Sequence, residues 1–193
     1  AVALHGDLEQ RDRERTLIHF ANKSASILVA TDVAARGLDI DDMDMVINYH
    51  LAHDPQTHVH RVGRTGRAGK KGIACSIYGE AEQFKVAQIG DHYERDFLPE
   101  PMPAFSLLEK PPYKPEMVTL MIDSGKKQKV RAGDILGALT GKDGVVGRQV
   151  GKINVLDNVA FVAVERNASK PALRKLTEGN IKGRKIRARR LTR

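Results

Sequence analysis

A short stretch of the sequence, residues 59–69 (VHRVGRTGRAG), contains three arginines spaced three residues apart, with glycines between them. On a helical turn Arg61, Arg64 and Arg67 would share one face, where like charges repel. Two glycines within a turn add a cost of about 1 kcal/mol each relative to alanine if the turn is helical. An anion that closely approaches the backbone would offset both costs. The spacing therefore predicts a binding site for an anion.

The elements that must position these arginines alternate between short apolar runs and helical patterns. Such alternation is typical of an α/β domain with a parallel sheet. Asp7, with Gln10 three residues later, predicts the N-cap of a helix that runs to about Phe20. Polar residues follow three of the runs, at the sheet edge where ligands bind in open parallel sheets. The predicted strands are AVAL, SILVA, DMVINY and GIACSIY.

Two motifs in this half resemble the second RecA-like domain of DEAD-box RNA helicases. Residues 31–39 (TDVAARGLD) match motif V, and residues 60–67 (HRVGRTGR) match motif VI. Residues 5–13 (HGDLEQRDR) resemble the segment before motif V. The resemblance implies that the chain is part of an ATP-dependent RNA helicase with an RNA-stimulated ATPase. It also implies that the anion beside the arginines is the polyphosphate of ATP.

The resemblance also implies roles at the nucleotide. Arg64 and Arg67 would act as catalytic arginine fingers on the γ-phosphate, since a guanidinium is planar and always charged. Asp39 would accept the ribose hydroxyl of ATP, and Gly37 would let the backbone approach the nucleotide.

The remaining implied roles in this half are support and RNA binding. His60 and Arg61 would brace the motif VI loop or link the nucleotide to the RNA. For Arg13, a surface ion pair within the charge-rich stretch QRDRERT is the alternative. The residues expected near the RNA backbone are Gly6, Gln10, Arg13 and Thr31.

The sequence contains neither a G-x-x-x-x-G-K-[ST] phosphate loop nor an acidic strand end that would hold Mg²⁺. The helicase family has both on its first RecA-like domain. ATP and Mg²⁺ are therefore the implied cofactors, with the Mg²⁺ ligands expected on that other domain. We expect this chain alone to be inactive as an ATPase. Because His50, His53, His58 and His92 have no carboxylate or cysteine partners at metal-ligand spacing, we predict no metal site.

A proline-rich segment, residues 99–115, separates two halves of opposite charge. Residues 1–100 contain 12 Lys and Arg against 16 Asp and Glu, whereas the remainder contains 20 against 8. We predict a truncated RecA-like helicase domain over residues 1–98, a linker over 99–115 and a smaller α+β domain over 116–193. The basic second half predicts a nucleic-acid partner. A merely solvated basic surface would have the same composition.

The second half has the pattern β-α-β-β-α-β, which predicts a ferredoxin-like sheet with one free face. Ser169 is predicted to cap its last helix and Gly179 to end that helix. A final strand is predicted over RKIRARRL. The order of elements resembles an RNA-recognition motif, and its attachment to a DEAD-box core resembles the DbpA subfamily.

The aromatic residues that stack on bases in such domains are sparse here. Thr119 or Met121 stands on one central strand and Phe161 on the other. Phe161 is therefore either a stacking residue or a core residue. Basic side chains are the better candidates for RNA contacts: Lys126, Lys127, Lys129, Arg131, Lys152, Arg184, Lys185, Arg187 and Arg189.

The subfamily resemblance implies binding of a 23S ribosomal RNA hairpin and remodelling of nearby duplexes in the large ribosomal subunit precursor. The alternatives are a general RNA helicase with a nonspecific basic tail and a non-enzymatic RNA-binding adaptor. No apolar run approaches the roughly 20 residues of a membrane span, and no signal peptide is evident. A single cysteine fits a reducing compartment, so we expect a cytoplasmic protein without a membrane partner.

Overall fold

The computed structural model describes residues 1–35, 40, 43–66 and 69–192 of the chain. Its residues pack into two compact units. The first unit combines Ala1–Gly37 with Pro111–Arg193, and the second consists of Leu38–Lys110. Both units contain helices and strands, which confirms the predicted α/β class.

The compact units do not follow the proline-rich segment, because the end of the first helix contacts the sheet of the second half. Asn22 and Ser24 both form hydrogen bonds to Thr119. The predicted linker, residues 99–115, is exposed almost throughout and contains a short 3₁₀ turn at Phe105–Glu109. The domain boundaries drawn from the prolines therefore remain a prediction.

The start of the chain forms two short strands with a helix between them. β1 pairs in parallel with β2, so the segments that follow both strands lie at the same sheet edge. The predicted cap at Asp7 is wrong, because the chain turns between His5 and Leu8 before the helix begins, and Glu9 is the N-cap. The elements are β1 (Val2–Leu4), α1 (Gln10–Ala21), β2 (Leu28–Ala30) and α2 (Asp32–Ala35).

The second unit contains the other two predicted strands of the first half, which are also parallel. Its first helix starts at Pro55, because the Asp54 side chain accepts a hydrogen bond of 2.8 Å from the Thr57 N–H and proline fits the first turn. The elements are β3 (Met45–Asn48), α3 (Pro55–Val62), β4 (Ile73–Ser76) and α4 (Gln83–Tyr93).

The second half of the chain has the predicted ferredoxin-like order. Its strands form one antiparallel sheet in the order β6-β7-β5-β8. Helices α5 and α6 cover one face, where Leu120, Ile135 and Leu176 are at most 1% exposed. The elements are β5 (Met117–Ile122), α5 (Ala132–Thr140), β6 (Val150–Val155), β7 (Ala160–Glu165), α6 (Ser169–Glu178) and β8 (Ala188–Arg190).

Two local predictions in this half are wrong. Ser169 is the first residue of α6 rather than its cap, because its hydroxyl donates back to the Arg166 carbonyl at 2.7 Å. The strand predicted over RKIRARRL forms only at Ala188–Arg190, since pairing starts opposite Ile122, the last residue of β5. Gly179 does end α6, as predicted.

Candidate functional site

The arginine-rich stretch begins on α3 and continues past its end. Because Gly63 caps α3, Arg61 lies on the helix and Arg64 on the turn that follows. Arg61 and Arg64 therefore do not lie on one helix, so the shared face expected for a helical turn does not apply to them. Gly66 has a φ of 68°, a left-handed conformation that glycine adopts without strain. Arg67 lies outside the described residues.

Arg61 fixes the segment that follows β3. Its Nη1 donates to Asn48 Oδ1 at 3.2 Å and to the His50 carbonyl at 2.8 Å. Asn48 is 2% exposed, and its amide donates in turn to Ser76 Oγ on β4 at 3.0 Å. The guanidinium of Arg61 thus connects α3 to both strands of the second unit.

Arg64 is half-buried, and its backbone is held on both sides. Its N–H donates to the Arg61 carbonyl at 3.2 Å, and its carbonyl accepts from the Met43 N–H at 3.1 Å. His60, on the preceding helical turn, is exposed. A guanidinium on a fixed backbone suits chemistry that depends on positioned charge, as phosphoryl transfer does.

Two of the predicted RNA-contacting residues lie at one edge of the β1–β2 sheet. Gly6 follows β1 and Thr31 follows β2, where the Thr31 N–H donates to the Leu4 carbonyl at 3.3 Å. Thr31 Oγ1 also accepts from the Ala34 N–H at 3.4 Å, at the start of α2. The nucleotide-binding candidates of motif V, Gly37 and Asp39, lie outside the described residues.

The other two candidates, Gln10 and Arg13, lie on the first turn of α1. Gln10 is exposed, and its Nε2 donates to Glu14 Oε1 at 3.5 Å. Within residues 1–35, the ion pair on this helix joins Arg15 to Asp12 at 3.5 Å and does not involve Arg13. The partly exposed Arg13 is thus available to an anion.

We call residues 125–131 the basic loop. Its backbone is bound to the turn between β6 and β7: the Lys126 N–H donates to the Leu156 carbonyl at 2.8 Å, and the Lys127 N–H to the Asp157 carbonyl at 2.9 Å. The loop is therefore fixed while its basic side chains stay exposed. These are Lys126, Lys127, Lys129 and Arg131.

We call residues 182–190 the basic segment. Lys182 connects it to the basic loop, because its Nζ donates to the Lys129 carbonyl at 2.9 Å and lies 3.3 Å from Asp134 Oδ2. Hydrogen bonds from the Arg131 N–H and then from Lys182 hold the pKa of Asp134 below its ordinary value. The other predicted contacts here are exposed: Arg184, Lys185, Arg187 and Arg189.

The remaining predicted RNA contacts differ in accessibility. Lys152 is exposed on β6. Arg189 Nη1 donates to Asp123 Oδ2 at 2.9 Å, so one carboxylate neutralises it in part. Phe161 is 1% exposed, lies opposite Met121 in the sheet, and is outside the core beneath α5 and α6. A base therefore cannot stack on Phe161 in this arrangement.

The described residues offer neither a metal cluster nor a membrane-spanning helix. Within residues 1–35, 40, 43–66 and 69–192, no group of three or more His, Cys, Asp or Glu side chains could hold a metal ion. None of the helices in the described part of the chain is both long and apolar enough to cross a membrane.

Two known domain families match successive parts of the chain. The helicase conserved C-terminal domain family matches residues 1–69, and the DbpA RNA binding domain family matches residues 119–190. The chain thus combines part of a helicase domain with an RNA-binding domain, as expected for an RNA helicase.

The relatives specify the family further. ATP-dependent RNA helicase DbpA of Escherichia coli (strain K12) is 49% identical over 98% of this chain and 41% of its own length. ATP-dependent RNA helicase DbpA of Bacillus subtilis (strain 168) is 32% identical over 95% of this chain and 43% of its own length. This chain belongs to the DbpA family of DEAD-box RNA helicases.

The chain spans about two fifths of the length of these two relatives, 41% and 43%. Among solved structures, it is similar to the crystal structure of a DEAD box protein from the hyperthermophile Methanococcus jannaschii. That match has 47% identity and a TM-score of 0.45, and it covers 49% of this chain and 26% of the other.

Proposed function

We propose that this chain supplies the arginine side of the ATP site and the RNA anchor of a cytoplasmic RNA helicase. The anchor binds a 23S ribosomal RNA hairpin, and the helicase remodels nearby duplexes in the large ribosomal subunit precursor. The observation that carries this proposal is the hydrogen bond from Lys182 to Lys129, which joins the basic loop and the basic segment. Exposed lysines and arginines on such a joined surface bind phosphates and release counterions.

ATP with Mg²⁺ would supply the reactive phosphate, and the half-buried Arg64 on its fixed backbone supports a contact with the phosphate end of that nucleotide. Arg64, together with Arg67, would contact the γ-phosphate with planar, two-donor guanidinium groups. Arg61 would keep this turn in place through Asn48. The roles of Asp39 and Gly37 at the ribose and the backbone remain proposals from the motif.

The helicase part would contact the RNA backbone through Gly6, Gln10, Arg13 and Thr31, without reading its sequence. The RNA-binding domain would select the RNA and keep the helicase near it, because linked binding sites raise each other's effective concentration. ATP hydrolysis and the choice of RNA would thus depend on different parts of the chain.

Competition binding tests the selectivity. We expect this chain to bind the 23S ribosomal RNA hairpin at least about 10-fold more tightly than an unrelated hairpin of equal length and charge, since phosphate contacts alone do not distinguish them. Equal affinities would instead favour a general helicase with a nonspecific basic tail.

ATPase assays test the division of the active site. The chain alone should hydrolyse no ATP, with or without RNA, and a full-length parent should show RNA-stimulated turnover. A full-length parent that binds the hairpin but never hydrolyses ATP would favour the adaptor function.

A further inference from the structure

The sheet of the RNA-binding half has a second face, opposite to α5 and α6. Side chains alternate between the two faces of a strand, so this face carries Thr119 and Met121 of β5 and Phe161 and Ala163 of β7. All four are buried: Thr119 is 0% exposed, Phe161 and Ala163 1%, and Met121 2%. The face that the sequence predicts to be free is therefore covered.

The turn between α1 and β2 covers this face at Thr119. Asn22 Nδ2 lies 3.2 Å from Thr119 Oγ1, and Ser24 Oγ lies 2.6 Å from the same oxygen. Asn22 is 2% exposed and Ser24 9%, so these contacts exclude most water. Two polar side chains from the start of the chain thus converge on one threonine.

Each hydroxyl group at this contact can be assigned one donor role and one acceptor role without conflict. Ser24 Oγ donates to the His19 carbonyl at 2.8 Å, so its lone pairs are left for Thr119. The Thr119 hydroxyl then donates to Ser24 Oγ, and Thr119 Oγ1 accepts from the Asn22 amide. A buried hydroxyl without partners would be costly, so the satisfied hydroxyl groups favour this contact, while Asn22 Oδ1 is buried without a hydrogen-bond partner in the described part of the chain.

We propose that this sheet face is an intramolecular docking surface for the turn of residues 22–24, and that RNA binds outside it, on the basic loop and on the part of the basic segment before Arg189, whose Nη2 lies on this face, 3.5 Å from Met121 Sδ. The part concerning RNA rests on the proposed function. The surface fits a short polar turn because Thr119 is small and can both donate and accept a hydrogen bond. Phe161 on the same face is 1% exposed and lies opposite Met121, so it is not accessible for stacking on a base.

A disulfide trap tests the docking. The variant Ser24→Cys/Thr119→Cys is made in a Cys75→Ser background, since Cys75 is otherwise an exposed free thiol. The two replaced oxygens are 2.6 Å apart, close to the roughly 2 Å of an S–S bond. We expect mild oxidation to form an intramolecular disulfide in most molecules. The matched control Ser24→Cys/Thr177→Cys, with its second cysteine on exposed α6, should not form one.

The trapped protein then tests where RNA binds. The oxidised and reduced forms should bind the 23S ribosomal RNA hairpin with affinities within about twofold of each other. Failure of the disulfide to form would overturn the docking, and an affinity loss of 10-fold or more on oxidation would show that RNA needs this face. If neither form selects the hairpin although the disulfide forms, the proposed function is wrong and the docking stands.

A second variant tests the face without a covalent link. Phe161→Leu keeps an apolar side chain but removes the aromatic ring. If a base stacked on Phe161, its loss would weaken binding by about 5-fold to 150-fold. We expect a change of less than about twofold, measured with the same hairpin on protein whose thermal unfolding is cooperative. A loss within the stacking range would overturn the proposal.

Discussion

The arginine turn, residues 61–64 at the end of α3, and the basic loop both present positive charge, but different contacts fix them in place. Arg61 bonds through its guanidinium to Asn48 and His50, so the charged group itself is fixed. In the basic loop the contacts run through the backbone, as at Lys126 and Lys127, and the ammonium groups remain in water.

This difference indicates two uses of positive charge. A half-buried, positioned guanidinium suits a reaction in which charge must meet one phosphate in one geometry. Exposed lysines on a fixed loop suit attraction to a polyanion, where the number of charges matters more than their exact orientation. A substitution that changes the geometry of the charged group should therefore matter most in the arginine turn. A substitution that removes the charge should matter most in the basic loop.

The largest expected effect comes from Arg64→Lys in a full-length parent, which keeps the charge and removes the planar two-donor group. We expect kcat for RNA-stimulated ATP turnover to fall by at least about 10²-fold. RNA affinity measured without nucleotide should not change. Normal turnover would remove Arg64 from the catalytic role, whereas lost RNA binding would assign the arginine to the RNA backbone.

The next largest effect is expected from neutralising the basic loop with Lys126→Gln, Lys127→Gln and Lys129→Gln together. Hairpin affinity should fall at least about 10-fold, and the slope of log affinity against log salt should become shallower by about 2 to 3. A triple Lys→Arg variant, which keeps the charge, should bind almost normally.

A matched control removes the same charge from the helical side of this domain. Lys142→Gln, Lys170→Gln and Arg174→Gln are exposed positions on or next to α5 and α6. This control should change hairpin affinity less than about twofold. Equal losses in both triple variants would mean that net charge, and not the basic loop, attracts the RNA.

The sequence predicted the order of elements in the second half because apolar alternation and turn residues are local signals. The same local signals gave wrong helix caps at Asp7 and Ser169. Both are good capping residues near a helix, but Asp7 lies in a turn before the helix and the Ser169 hydroxyl donates to an upstream carbonyl. Residue types alone could not decide between these neighbouring geometries.

Contacts between distant parts of the chain left no signal in the sequence. Asn22 and Thr119 are 97 residues apart, and neither belongs to a motif for pairing. The choice between stacking and burial for Phe161 depended on how this sheet face is covered, so it stayed open until the structure was known. At the arginine turn, the motif predicted contact with a phosphate. It did not predict Asn48 as the partner of Arg61, because that contact depends on the pairing of β3 with β4.

A smaller effect, on stability, separates the two regions again. Arg61→Met should lower the free energy of unfolding by about 1–3 kcal/mol, because Asn48 Oδ1 is left buried without its donor. Lys127→Met, in the exposed basic loop, should change it by less than about 0.5 kcal/mol. Urea unfolding measures both. Equal stabilities of the two variants would show that Arg61 does not brace this unit.

The smallest expected effect is a pH dependence that arises at His58, beside Arg61. His58 lies on α3, is 8% exposed, and has a buried Nδ1 without a hydrogen-bond partner in the described part of the chain. Burial first, and then the charges of Arg61 and His92, lower the pKa of His58 below its ordinary value of 6.5.

The sign follows from proton binding. Between the lowered pKa of folded His58 and about 6.5, the unfolded chain binds the proton and the folded chain does not, so stability falls as the pH drops. From pH 7.5 to 5.5 this histidine should account for a loss below about 1.4 kcal/mol. His58→Gln should remove that part of the loss, whereas His53→Gln, at an exposed position, should keep it. Urea unfolding at both pH values measures the difference, and equal losses in the two variants would show that His58 is not held neutral beside Arg61.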